Sequence, residues 1–228
     1  MCNIGLQMLF TVASLTTRAK FGPEWLSFFE ENILPTVSQS IKYITVYLYE
    51  QCDPVMARIL RRLPNIRWLV LDLNLQTSAL ESIDVLSNFT NVTRLTTISS
   101  GPPLNCHMEV NTRLIRAYGK NLKSLDVYNS WNDDFSDLLH VIRDFCPILE
   151  NIYIYGTAGT ALASILIGEP AWPSRTTLKV AHFEACREID AWIVASIAEL
   201  YPALKEVRIY SCGGPGSYGT FSLLSCDF

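Results

Sequence analysis

The chain has 228 residues, 49% hydrophobic and 18% charged, with a formal net charge of −4. That length supports a sizeable core, and that apolar content excludes disorder. Residues 1–100 hold eight basic and eight acidic side chains, and residues 101–228 hold ten and fourteen. Neither half has the basic excess that binding nucleic acid by counterion release requires.

The first seventeen residues carry no charge and include the apolar run Leu6–Leu15. Met1-Cys2-Asn3 lacks the basic start of a signal peptide, and the run is too short to span a membrane. Residues 1–21 therefore read as a degenerate N-terminal cap or a truncated earlier repeat, buried in the fold. The triplets beginning at Asn88 and Asn91 are glycosylation acceptors only in a secreted chain. Glu24–Leu34 reads as the helix of a first repeat.

From residue 41 an apolar–x–x–apolar–x–apolar spacing recurs. It starts at Ile41, Ile66, Val92, Leu122, Leu149, Leu178 and Leu204, at intervals of 25, 26, 30, 27, 29 and 26 residues. Eight positions after each start stand Tyr49, Asn74, Ser100, Ser130, Thr157, Cys186 and Cys212, mostly small polar residues or cysteine. Thr97 and Ala181 depart from the pattern at apolar positions. Each start opens a short strand, and a periodic array of this kind signals a repeat architecture.

Between the strands the period turns helical. Asp53-Pro54 opens a helix over Val55–Leu63, and Ser78–Glu81 has the capping-box spacing. Asp133-Asp134 lead into Phe135–Phe145, and Asp190 leads into Ala191–Leu200. Leu63-Pro64, Cys146-Pro147 and Tyr201-Pro202 each end a helix at a proline. Residues 22–212 thus read as one array without an internal boundary. Residues 213–228 read as a C-terminal loop and tail, of which 220–228 pair weakly or remain disordered.

The array resembles the leucine-rich repeat family, whose unit reads LxxLxLxxN or, in the cysteine-containing, ribonuclease-inhibitor-like type, LxxLxLxxC. Leu178–Cys186 and Leu204–Cys212 match the cysteine form. The resemblance implies an α/β solenoid, a right-handed horseshoe arc with parallel strands on the concave face and helices on the convex face. The irregular units and helix–proline junctions also resemble the repeat region of fungal F-box leucine-rich repeat proteins. In those, an F-box docks a Skp-type linker and the repeats hold a substrate. Residues 1–40 supply no F-box opening, so the chain is either a fragment or a stand-alone repeat protein, and no residue is assigned to ligase docking.

Alternation along each strand turns every second side chain out to the concave wall. The wall then carries Tyr43, Tyr47, Trp68, Asp72, Arg94, Asp126, Tyr128, Tyr153, Tyr155, His182, Glu184, Arg208 and Tyr210. Six of the chain's ten tyrosines fall among the twenty-one outward positions, which make up under a tenth of the chain. Strand propensity favours tyrosine, yet tyrosine and tryptophan are also the anchors of protein interfaces. Tyr128 and Tyr155 stand at equivalent positions, so their rings are expected side by side.

Catalytic signals are weak by comparison. His107, His140 and His182 are scattered; His182 beside Glu184 lacks a nucleophile motif. Gly213–Gly219 lacks the lysine–serine ending of a phosphate loop. Helix capping accounts for Asp133 and Asp134. Seven cysteines without a CxxC or zinc-site spacing predict free thiols in a reducing compartment, cytoplasmic or nuclear. The expectation is a non-enzymatic module that binds a protein on its concave face, without cofactor, metal, nucleic acid or membrane. The alternative is a stand-alone regulator or inhibitor of another enzyme or GTPase.

Overall fold

The computed structural model describes residues 12–16, 27–48, 54–73, 84–99, 105–129, 136–155, 166–168, 172–184, 191–210 and 220–224. The chain is α/β and forms two compact units, Met1–Tyr118 and Gly119–Phe228. The seven eighth-position residues from Tyr49 to Cys212 lie outside the described residues. So do the apolar run before Val12, the capping segments at 53, 78–81, 133–134 and 190, and the glycine-rich loop 213–219.

In the first unit, β1 (Val12–Thr16), β2 (Tyr43–Leu48), β3 (Trp68–Leu73) and β4 (Arg94–Ser99) pair in parallel in chain order. Strands β2, β3 and β4 each begin two residues after a motif start, and the register pairs equal motif positions: Tyr43 with Trp68, Trp68 with Arg94. The pairing extends one strand earlier than the motif, with Val12 opposite Tyr43. Ile44, Val46, Leu69, Leu71 and Leu95 point into the core and are essentially inaccessible. Thr97 shares that face; it is buried, and its hydroxyl has no hydrogen-bond partner among the described residues.

Helical segments connect the strands, as parallel pairing requires. A π-helical turn, Phe29–Ile33, runs into α1 (Leu34–Val37). Pro35 has no N–H to continue the ladder, and Leu34 N–H reaches back to the Phe29 carbonyl. Next comes α2 (Pro54–Arg61), which buries Ile59 and Leu60 and turns Arg58 and Arg61 outward. Arg58 grips Glu30 with bonds of 3.1 and 2.9 Å, and this holds the Glu30 carboxyl below its ordinary range. Among the described residues the longest helix is α3 (Asn105–Tyr118), which the sequence pattern did not indicate. Its buried Val110, Leu114, Ile115 and Tyr118 have helical spacing, and the Tyr118 hydroxyl donates to the Leu86 carbonyl. Burial pushes that phenol's pKa well above its ordinary value.

The second unit repeats the scheme with β5 (Ser124–Asn129), β6 (Asn151–Tyr155), β7 (Val180–Glu184) and β8 (Glu206–Tyr210) in parallel. Leu125, Val127, Ile152, Ile154, Ala181, Phe183 and Val207 fill the core face. Of the two alternatives for residues 220–228, the structure shows pairing over Thr220–Leu224: β9 (Thr220–Leu224) runs antiparallel to β8. A strand reversing direction on β8 covers its otherwise open backbone edge. Helices α4 (Ser136–Phe145) and α5 (Ala191–Leu200) begin within a residue of their expected starts. Trp172 packs edge-on against Tyr201 at 6.4 Å, and the Tyr201 hydroxyl donates to the Leu166 carbonyl at 2.9 Å.

Side-chain bonds tie neighbouring segments at the entry to three of the strands, β3, β4 and β7. Asn65 Nδ2 donates to the Gln39 carbonyl at 2.9 Å, Asn91 Nδ2 to the Pro64 carbonyl at 3.0 Å, and Thr177 Oγ1 to the Leu149 carbonyl at 2.9 Å. The residue just before each motif start is Ser40, Asn65, Asn91, Asn121, Ile148, Thr177 or Ala203. Five of these seven residues are polar, a recurrence that stands beside the apolar motif.

Candidate functional site

The outward positions form a ladder in each unit. In the first, Tyr43, Trp68 and Arg94 share one register level on β2, β3 and β4. The Tyr43 ring meets Trp68 edge-on at 4.6 Å, and the Arg94 guanidinium lies 4.0 Å from the Trp68 ring centroid. Such a cation–π contact contributes about 0.5–2 kcal/mol, more as water is excluded. Trp68 Nε1–H donates to Thr96 Oγ1 at 3.2 Å, and the Thr45 hydroxyl donates to the Tyr43 hydroxyl at 2.9 Å. Thr45, Val70 and Thr96, the middle outward column, are buried by these neighbours. Asp72 is half-buried one level further on, and the side chain of Tyr47 lies outside the described residues.

In the second unit the ladder runs over β5 to β8. Tyr128 stacks on Tyr153 with ring centroids 5.2 Å apart and planes 31° apart, and Tyr153 meets His182 edge-on at 5.3 Å. The Tyr153 hydroxyl donates to Glu184 Oε1. His182 Nε2 lies 3.3 Å from Glu206 Oε1 without hydrogen-bond alignment, and Arg208 Nε pairs with the same oxygen. Asp126 is buried beneath this layer at 7% exposure. The side chain of Tyr210 lies outside the described residues.

One expected contact is absent. Tyr128 and Tyr155 are opposite in register, yet Tyr155 makes no ring contact among the described residues and is 40% exposed. Tyr153, drawn along the strand by its bond to Glu184, takes the space beside Tyr128. The pairing of His182 with Glu184 is likewise replaced: Glu184 takes the Tyr153 hydroxyl, and His182 faces Glu206 on the next strand. Glu206, Thr45 and Thr96 are among the twenty-one outward positions of the sequence pattern but not among its binding candidates, and the structure places them against those candidates.

His140 is exposed on α4, and the side chain of His107 lies outside the described residues. Among the described residues, no group of three or more His, Cys, Asp or Glu is placed to hold a metal. No helix there is long and apolar enough to cross a membrane. Cys146 is a free, buried thiol, its pKa pushed up to about 12 by desolvation. In both ladders the polar ends are bonded to one another while ring faces and edges remain partly accessible. No protein-family model matches the chain, and no curated protein is significantly similar to it.

Proposed function

We propose that the chain is a leucine-rich repeat solenoid, a right-handed arc whose concave wall binds a protein partner without catalysis. The recurring motif and the equal-level parallel register within each unit support the solenoid. The observation that carries the binding reading is the Tyr128–Tyr153–His182 stack, with its polar ends tied to Glu184 and Glu206 and with Tyr155 projecting beside it. Rings already held in place lose little side-chain freedom on contact, and aromatic anchors of this kind concentrate binding energy.

Within that reading, the resemblance to F-box repeat proteins favours a substrate-recognition role in a ubiquitin-ligase adaptor, in the cytoplasm or nucleus. A Skp-type linker enters only through an F-box, to which no residue here is assigned. The second reading is a stand-alone regulator of another enzyme. Affinity capture with the full chain, followed by mass spectrometry, identifies the partner. Tyr155→Ala combined with Tyr128→Ala should then weaken the purified pair at least tenfold, about 1.4 kcal/mol, while the chain still melts cooperatively. Unchanged affinity in the folded double variant rejects the wall as the site. A partner whose ubiquitylation depends on the chain favours the adaptor; one whose own activity changes on binding favours the regulator.

A further inference from the structure

A groove of about 400 Å³ lies on the first unit, between the end of α2 and the turn at 87–90. Leu60, Leu63, Val85 and Phe89 form its floor, with Arg61 and Asn88 at its lip. The floor residues are core side chains, each 7% exposed or less. Two tight turns frame the space: Leu63 N–H bonds the Leu60 carbonyl at 3.2 Å, and Phe89 N–H bonds the Leu86 carbonyl at 3.1 Å. Asn88 Nδ2 donates to the Asp84 carbonyl at 3.0 Å, so its lip position is held from within.

The charge at this lip differs from that of the chain. Residues 54–63 carry Arg58, Arg61 and Arg62 and no acidic residue, in a protein of net charge −4. Arg58 is committed to Glu30, and Arg62 reaches the Glu30 carbonyl at 3.5 Å. Arg61 has neither an ion pair nor a side-chain hydrogen bond among the described residues. Among its described residues, 84–90, the facing segment contributes one opposing charge, the exposed Asp84. An apolar floor beneath a positively charged lip is complementary to a bulky apolar side chain flanked by carboxylates.

We propose that this groove docks an acidic peptide segment of a partner protein. A leucine or phenylalanine of that segment enters above Leu63 and Phe89, and a neighbouring carboxylate pairs with Arg61. The volume suits one or two side chains, at the small end of ligand pockets. The proposal stands apart from the aromatic wall and does not depend on it.

The test uses the full chain with labelled methyl groups and the peptide acetyl-Gly-Glu-Glu-Leu-Phe-Glu-Glu-Gly-amide. Its counterpart with lysine at every glutamate, and octanoate, serve as controls. The acidic peptide should produce saturable shifts at the Leu60, Leu63 and Val85 methyls, and the lysine peptide should not. Arg61→Glu, an exposed substitution, should weaken the acidic peptide at least fivefold and strengthen the lysine peptide. An Arg61→Lys variant should retain most of the binding. Failure of the acidic peptide to shift these methyls overturns the proposal, as does equal binding of both peptides or indifference to Arg61→Glu. Saturable octanoate binding without peptide binding overturns it too, in favour of a free apolar carboxylate.

Discussion

The Tyr153 hydroxyl donates to Glu184 Oε1 on the next strand, two residues beyond His182, its own register partner. That diagonal bond sets the ring between Tyr128 and His182, with centroids 5.2 and 5.3 Å away. The order of this cluster thus depends on one hydroxyl as well as on three rings in contact. Tyr153→Phe should keep the stack and lose about 1.5 kcal/mol, the lower end for a hydrogen bond to a charged group. Tyr153→Ala should lose the aromatic contacts as well, about 0.5–1.5 kcal/mol more for each pair. Urea unfolding of both variants measures the difference; equal losses would mean that the ring contacts contribute nothing.

Gly119 follows α3 and sits against the end of α4. A Cβ placed there would collide with the Phe145 carbonyl oxygen and lie 2.8 Å from its carbon. The obstruction is backbone, which cannot swing aside as a side chain does. Gly119→Ala should therefore destabilise the chain by about 1–3 kcal/mol, the usual range for overpacking. A melt coinciding with that of the parent would contradict the close approach.

Glu150 bridges Lys123 at 3.1 Å and Lys179 at 2.5 Å, the residues just before β5 and β7. The bond from Lys179, and then that from Lys123, hold its carboxyl below the ordinary range. A carboxylate depressed in the folded state adds stability above its unfolded pKa, and this is lost as pH falls through the folded value. Glu150→Gln should lower stability near pH 7 and match the parent once Glu150 of the parent is protonated in both its folded and unfolded states. The effect is small, because the lysines are exposed and screened by salt. Unfolding curves that differ by the same amount at pH 7 and at strongly acidic pH would exclude the linkage.

Cys146 is fully buried, and its pKa near 12 leaves almost no thiolate at pH 8. Thiol reagents should leave it unmodified in the native chain and label it once urea is added. Peptide mapping after brief alkylation distinguishes the states, and labelling of native Cys146 would show an open path to the site. Titration under denaturing, non-reducing conditions should count all seven cysteines of the chain as thiols.

Much of the architecture was legible because burial imposes a period. Ile44, Leu69 and Leu95 in the first unit, and Leu125, Ile152 and Val207 in the second, recur at one motif level because each parallel strand must turn an apolar side chain toward its own unit's core. The prolines at 64, 147 and 202 marked helix ends because each lacks the N–H needed to continue. Helix α3 escaped notice because its polar residues dilute an apolar stripe that begins only at Val110.

The sequence alone determined which positions face the core and which face outward, since strand alternation follows from backbone geometry. It did not determine which outward side chains would touch. Tyr128 met Tyr153 rather than Tyr155, and His182 met Glu206 rather than Glu184, because contacts across a sheet depend on rotamers and diagonal bonds set by neighbouring strands. The antiparallel β9 and the groove beside Arg61 have the same origin: they depend on where distant segments come to rest, and no local periodicity records that.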